Sequence, residues 1–597
     1  MSGSSPVVNG GARGRVEAYL AFLRPRSRQS VLVAVVLIGA GCGLVAVAFH
    51  GAIEFLRALL IGTALRQANG LVRGALLVTI PAAAGALLAW LVPRLAPRAG
   101  GGLALVRKAF AGDPATLLDA RTLIGTYGAN ALSLGAGTPL GPEGPTVVLT
   151  SGFAAAAARW LRLPGRFVKG MIPVGTAAGI AAIFNAPITG VVFALEEVMG
   201  AASRGVLGGS LLAAVAAAVV ERTFLGGERL LPASPARWGD LRELLGFAVL
   251  GLLCGAAAGW LPRVVPILQK GLAKLVERAG RGAFVARGAI AGAVAGLLGV
   301  VAPETLGIGY PAIAEWLAGG GTGPQAAIAF AAKLAGVALA LAAPLVGGVF
   351  APSLFLGASL GAAAGHLGQF LFPMAHVEPG AWALVGMGAF FAGFLRTPIA
   401  SVLIVFEVTG DYGLILPQML TVVLASIVAR RISRETLVER ALGPAGSRRP
   451  FEAEDPLSRV SVGDVMTAEI KAPLSSHTVV EAARVAAGTR HTQYPVVDDD
   501  GLLVGVLFAK DLDAAILEAR HGATAGGLAL PPVLLLTPGQ TLAEAALRLA
   551  QAGETRAPVV ESLETPRLVG FLSSSDLVRA RLHVHEEESG PSMADLG

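Results

Sequence analysis

From residue 31 the chain runs as long apolar stretches separated by short polar or basic ones. Val31 to Phe49 is 19 residues without a charge, long enough to cross a hydrocarbon core as a helix, and similar runs recur to about residue 430. The pattern predicts an all-α polytopic membrane domain over residues 31–442, preceded by a polar and basic segment at 1–30. Gly and Pro interrupt many runs, with 79 glycines and 36 prolines in the chain, so close helix packing and discontinuous helices are predicted. Near residue 443 the pattern changes. "GPAGSRRPFEAEDPLSR" brings glycine, proline and alternating charge and is assigned to a linker, 443–460. Short amphipathic helices and strand-like segments then predict a soluble α/β module over 461–583, with a tail at 584–597.

Both parts repeat themselves. In the soluble part, "HTVVEAARVAAGTRHTQYPVVDDDGLLVGVLFAKDL" precedes "GQTLAEAALRLAQAGETRAPVVESLETPRLVGFLSSSDL", aligning Glu481 with Glu544, Pro495 with Pro558, Gly505 with Gly570 and Asp511 with Asp576. Each unit reads as helix, strand, turn, strand, helix. In the membrane part "NAPITGVVFALEEV" from Asn185 matches "RTPIASVLIVFEV" from Arg396, placing Pro187 over Pro398 and Glu196 over Glu407. "GPEGP" from Gly141 and "GVFAP" from Gly348 share a Gly-x-x-x-Pro frame at a comparable offset. Two related halves with broken helices suit a transporter whose site lies where the halves meet. The pattern leaves their relative orientation open.

Composition sharpens this picture. The chain is 54% hydrophobic and 15% charged, and the mean hydropathy is +0.67. The excess of 47 basic over 40 acidic residues fits basic cytoplasmic loops better than a nucleic-acid surface, because no basic and aromatic stripe is present. Arg13, Arg15, Arg24, Arg26 and Arg28 place the N-terminus on the cytoplasmic side. Cys42 and Cys254 are the only cysteines, which excludes a disulfide framework and a cysteine-based zinc site.

The chemistry concentrates around Glu143, an acid between two glycines and two prolines inside apolar flanks. A carboxylate at the centre of a membrane helix costs about 2.5 to 3.5 kcal/mol, so such residues tend to be functional. Gly141 and Gly144 permit unusual backbone angles, and Pro145 suits a first helical turn. Gly347, Gly348 and Pro352 build a similar start before "SLFLGASLGAAAG". Two helix N-termini aimed at one point would hold an unhydrated anion. Glu143 then reads as a tethered anion that fills the site when ionised and leaves when protonated. The plainer alternative is a solvated loop residue or a helix cap. Glu196 and Glu197, about 100° apart on a helix, face different surroundings, so that one can serve packing and the other a proton path, or both can mark the end of a span. Glu407 reads as structural.

Together, "GPEGP", "NAPITGVVFALEEV", "GGVFAPSLFLGASLG" and "GMGAFFAGFLRTPIASVLIVFEVTGDYGLILP" resemble the CLC family of chloride channels and chloride/proton exchangers, over about residues 30 to 442. The soluble pair resembles CBS domains. The resemblance implies a homodimer in the cell (inner) membrane, with one anion pathway per subunit, two inverted halves and cytoplasmic CBS domains. It makes Glu143 the external gate and Glu197 the internal proton acceptor. It draws the anion site from Gly101, Gly144, the amides of Val349, Phe350 and Ala351, and the position of Val438. Three positions depart from the family pattern. Gly101 stands where a serine is usual, Val438 where a tyrosine is usual, and Pro142 replaces an arginine and removes an N–H. A donor-poor site and looser coupling are therefore expected.

In the second CBS repeat "GFLSSSD" offers Ser573 and Asp576 to the ribose of an adenine nucleotide, whether ATP, ADP or AMP. The same two residues would equally serve as a helix cap. The first repeat has Phe508 in place of the hydroxyl. No cofactor is required and no enzymatic activity is expected. The leading expectation is chloride/proton antiport modulated by the CBS pair. The alternatives are a passive or weakly coupled channel for chloride, nitrate or fluoride, a CBS-gated magnesium transporter, and a nucleotide-sensing membrane receptor. Magnesium would need acidic clusters rather than glycine-framed N–H groups.

Overall fold

The computed structural model describes residues 28–163, 165–199, 204–226, 230–231, 241–372, 377–442, 456–487, 491–520 and 522–589. The expected N-terminal segment up to 27, the linker residues 443–455 and the tail from 590 lie outside these. The described residues fall into two compact units, one ending before residue 453 and the other within Ala453–Pro591.

The first unit is helical. Among the described residues nine helices are long and apolar enough to cross a membrane, from Val31–Leu65 to Ile415–Ile432. Shorter apolar helices, Pro379–Leu395 and Pro398–Thr409, stand between them. Small residues bring the long helices together, as expected where lipid offers no hydrophobic drive for association. A Cβ on Gly292 would lie 2.0 Å from the Pro81 carbonyl oxygen, and one on Gly361 would lie 2.1 Å from that of Trp382.

The two halves interlock at two levels. Gly141 N–H donates to the Gly348 carbonyl at 2.8 Å, and Gly348 N–H donates back to Gly141 at 2.5 Å, as an antiparallel bridge. At the other level, Glu196 accepts from the N–H groups of Ile399 (3.1 Å) and Ala400 (2.8 Å) at the start of the Pro398–Thr409 helix. Glu407 does the same for Ile188 (3.0 Å) and Thr189 (2.6 Å) at the start of Pro187–Phe193. Each acid thus caps the helix of the opposite half, satisfying N–H groups that a helix start leaves free. Asn185 and Arg396, the residues that open the two matched motifs, both adopt left-handed φ, 51° and 60°.

The second unit is the predicted pair. Strands Gln493–Val497 and Leu503–Phe508 form one antiparallel hairpin, and Arg556–Val560 and Leu568–Ser573 form the other. Their registers match residue for residue, including a shift at Val496/Val497 and again at Val559/Val560. The aligned glycines have a common cause. A Cβ on Gly505 would meet the Leu530 carbonyl at 2.7 Å, and one on Gly570 would meet the Met466 sulfur at 2.3 Å, because a segment from outside each hairpin crosses it there. The aligned acids Glu481 and Glu544 both follow a capping threonine, Thr478 and Thr541.

Candidate anion pathway and its acidic residues

The Glu143–Trp160 helix begins at the acid itself, with Pro142 as its N-cap residue. Opposite it the Phe350–Leu371 helix begins after Val349. The reciprocal Gly141/Gly348 bonds fix these two starts against each other. The glycines are needed for room rather than for backbone angle. Neither Gly141 nor Gly144 has positive φ, whereas a Cβ on Gly348 would stand 2.8 Å from the Gly144 nitrogen. This corrects the expectation of unusual backbone angles.

The Glu143 side chain folds into the junction and is fully buried. Its Oε2 accepts from the Ala351 N–H at 3.3 Å, and its Oε1 accepts from the Tyr310 hydroxyl at 3.0 Å. A carboxylate therefore occupies the place where two helix N-termini converge, which is where a free anion would be held. The ring of Phe350 packs edge-on against Phe193 and Phe391 at 4.7 Å each.

Sequence reasoning missed Tyr310 and the group that positions it. Lys333 is fully buried, and its Nζ donates to the carbonyls of Thr305 (3.0 Å), Gly307 (2.5 Å) and Ile308 (3.3 Å). It also lies 4.7 Å from the centre of the Phe355 ring. These contacts pin the segment that delivers Tyr310 to Glu143. The available signal was a lone lysine in the apolar run "AAIAFAAKLAGVALALAAP".

Glu197 and Glu196 sit in a π-helical turn, Ala194–Met199. Their i→i+5 bonds widen the turn from the α-geometry expected, a feature frequent at functional sites. The two acids do part company. Glu196 turns to the helix of the other half, while Glu197 is buried and lies 3.5 Å from the Arg107 guanidinium. Arg107 is the third residue sequence reasoning missed.

Gly101 is the N-cap residue of the Gly102–Ala111 helix. A Cβ there would meet Leu105 Cβ at 2.8 Å and the Arg98 carbonyl at 3.1 Å, so the local packing favours a bare glycine. Val438 is partly buried against the main core on the short Leu437–Leu442 helix. That helix packs on Gly102–Ala111, and Lys108 Nζ ties the two by donating to the Ala441 carbonyl at 3.0 Å. The structure thus joins Glu143, Ala351 and Tyr310 in one cluster, and joins the helices carrying Gly101 and Val438 in another.

In the second unit Asp576 Oδ2 accepts from both the N–H and the hydroxyl of Ser573, at 2.9 and 2.6 Å, and its Oδ1 accepts from Arg579. Ser573 and Asp576 are brought together as a helix cap. The corresponding Phe508 has no side-chain cap bond. Among the described residues no group of three or more His, Cys, Asp or Glu gathers that could hold a metal ion.

A polytopic helical unit with paired broken helices around a buried acid, followed by tandem α/β repeats, defines a membrane transport protein that carries a second α/β module. Residues 84–430 match the model of the voltage gated chloride channel family, and residues 462–518 and 525–583 each match the CBS domain. The chain belongs to the voltage gated chloride channel (CLC) family. It is similar to a solved slow cyanobacterial Cl-/H+ antiporter, at 25% identity over 70% of this chain and 99% of that one, with a TM-score of 0.61. A eukaryotic CLC transporter shares the fold at 20% identity and TM-score 0.60, over 94% of this chain and 98% of that one. A CLC-type fluoride/proton antiporter does so at 22% and 0.57, over 70% and 98%.

Proposed function

We propose that the protein exchanges a small inorganic anion, chloride first among candidates, for protons across the cell membrane, with Glu143 as the gate and Glu197 as the inner proton acceptor. The observation that carries this reading is the Glu143 carboxylate itself, buried between two helix starts and bonded to the Ala351 N–H and the Tyr310 hydroxyl. Ionised, it fills the anion position and excludes the cargo. Protonated, it needs no anion-type partner, gives up the site and carries a proton as it leaves. The antiporter relatives support exchange as the mode.

The CBS pair faces the cytoplasm in this reading and modulates transport, the subunits pair as homodimers in the bilayer, and an adenine nucleotide is the candidate ligand of the module. The cap that engages Asp576 must open or share its carboxylate for ribose to bind there.

A weakly coupled channel of the same fold is the second reading. It draws on the Arg107–Glu197 pair, which a proton must break, and on Gly101 and Val438, which offer no hydroxyl to the anion. Reconstituted Glu143→Gln and Glu197→Gln variants discriminate the two. Exchange requires that both stop proton movement while chloride still passes. Unchanged proton flux in either variant removes that residue from the path.

A further inference from the structure

Lys333 stands near the middle of the Gly323–Ala342 helix and is fully buried. Its bonds to the carbonyls of Thr305, Gly307 and Ile308 occupy three N–H groups, the number an ammonium has and a neutral amine lacks. The side chain is therefore a buried cation. Among the described residues, the buried ion pairs of the first unit are Arg107–Glu197 and Arg396–Glu439, and Lys333 takes part in neither. Two routes lead from it to the Glu143 carboxylate. One runs through Ile308 and Gly309, which has a left-handed φ of 90°, to Tyr310, whose hydroxyl reaches Oε1. The other crosses to the Phe355 ring, 4.7 Å away, and runs back one helical turn to Ala351, whose N–H reaches Oε2. The routes touch each other, since a Cβ on Gly309 would lie 2.6 Å from the Phe355 ring. Lys333 and Glu143 thus attract each other across packed protein, where a low dielectric strengthens the interaction of charges.

A buried cation favours negative charge nearby, because burial is costly for a charge that nothing balances. With the gate docked, the Glu143 carboxylate supplies that charge. When Glu143 is protonated and leaves, the junction still lies in the field of Lys333 and of the two helix starts. We propose that the Lys333 ammonium is the fixed counter-charge of the anion junction, drawing in either the Glu143 carboxylate or the free anion, and so sets anion affinity without touching the anion. This inference rests on the junction being the place where the transported anion binds. It supplies an attraction that Gly101 and Val438, with no hydroxyl, do not. It also ties gate and cargo to one charge, so that whatever weakens the hold on the anion weakens the hold on the docked carboxylate.

The test is chloride titration of the purified full-length protein by calorimetry in the Glu143→Gln background, where no carboxylate competes. Adding Lys333→Gln removes the charge yet keeps amide donors for the carbonyls. Chloride affinity is expected to fall at least about fivefold, the lower end of coupling between linked sites. Adding Lys333→Arg instead should keep most of the affinity. Because Lys333 also holds the segment that delivers Tyr310, the comparison is repeated with Tyr310→Phe present, and the loss should persist there. Unchanged affinity in Lys333→Gln, an equal loss in a folded Lys333→Arg, or a loss that vanishes once the Tyr310 hydroxyl is gone overturns the proposal. If the thermal midpoint shows that neither Lys333 variant folds, nitrogen NMR of lysine labelled at Nζ decides in Glu143→Gln alone. Chloride-bound protein should show Lys333 as an ammonium, and a neutral amine overturns the proposal. Glu143→Gln with native Lys333 separates the two layers. If it binds no chloride, the reading of the junction fails; if it binds chloride and Lys333→Gln changes nothing, only the role of Lys333 fails.

Discussion

Replacing Tyr310 by phenylalanine removes one hydroxyl from the protein and one of the bonds that hold the Glu143 carboxylate in the junction. The bond is 3.0 Å long and its acceptor is fully buried, and a hydrogen bond to a charged group contributes about 1.5 to 3 kcal/mol. The Ala351 N–H remains, at the longer distance of 3.3 Å. In the proposed gate the docked carboxylate and a free anion compete for one position, so weakening the dock by that amount should favour the anion by roughly ten- to a hundredfold. Chloride titration of purified Tyr310→Phe should therefore show tighter apparent binding than wild type by tenfold or more. In liposomes its chloride efflux at neutral pH should move toward that of Glu143→Gln. The ring's packing is kept, so folding should be unaffected. Chloride binding and efflux indistinguishable from wild type would refute the idea that Tyr310 holds the gate shut.

Three further outcomes follow from the geometry. Gly348→Ala forces a methyl group to within 2.8 Å of the Gly144 nitrogen, so it should lower stability by about 1 to 3 kcal/mol and depress flux, read as a lower thermal midpoint and slower efflux. Glu407→Ala frees the N–H groups of Ile188 and Thr189 and should cost about 1 to 2 kcal/mol as a lost helix cap, seen as faster amide exchange at those residues with proton coupling retained. In the CBS module, bonds from the Thr478 backbone and then its side chain hold the Glu481 carboxyl below its ordinary range, and Ser461 does the same for Asp464. A depressed carboxyl stabilises the fold above its unfolded-state value and loses that contribution as pH falls through the lower, folded value. Protection of the Thr478 and Ser461 amides in the full-length protein should thus persist at neutral pH and decline in the acid range, and equal protection throughout would contradict the capping role.

How much of this was legible in the sequence depended on the range of the interaction. The paired hairpins announced themselves because Pro495, Gly505 and Asp511 repeat as Pro558, Gly570 and Asp576, and a hairpin register is a local property. The two helix starts were readable from "GPEGP" and "GGVFAP" for the same reason. The partners of Glu143 and Glu197 were not, since Tyr310 lies 167 residues from one and Arg107 lies 90 residues from the other. Nothing in an apolar run says which distant helix it will touch. Lys333 was the exception that went unread, because a single cation in such a run must find acceptors, and here it finds three backbone carbonyls. The π-turn around Glu196 and Glu197 had no sequence signal, because its apolar spacing over two turns is also that of an α-helix.

The proposed exchange ties proton movement to anion movement. The most direct measurement places the purified wild-type protein in liposomes with a chloride gradient and no pH gradient, and records the pH outside as chloride leaves. Exchange predicts proton uptake against the developing pH difference, at a fixed ratio to chloride and abolished by Glu143→Gln. Chloride efflux with no proton uptake would contradict it and leave a passive anion pathway.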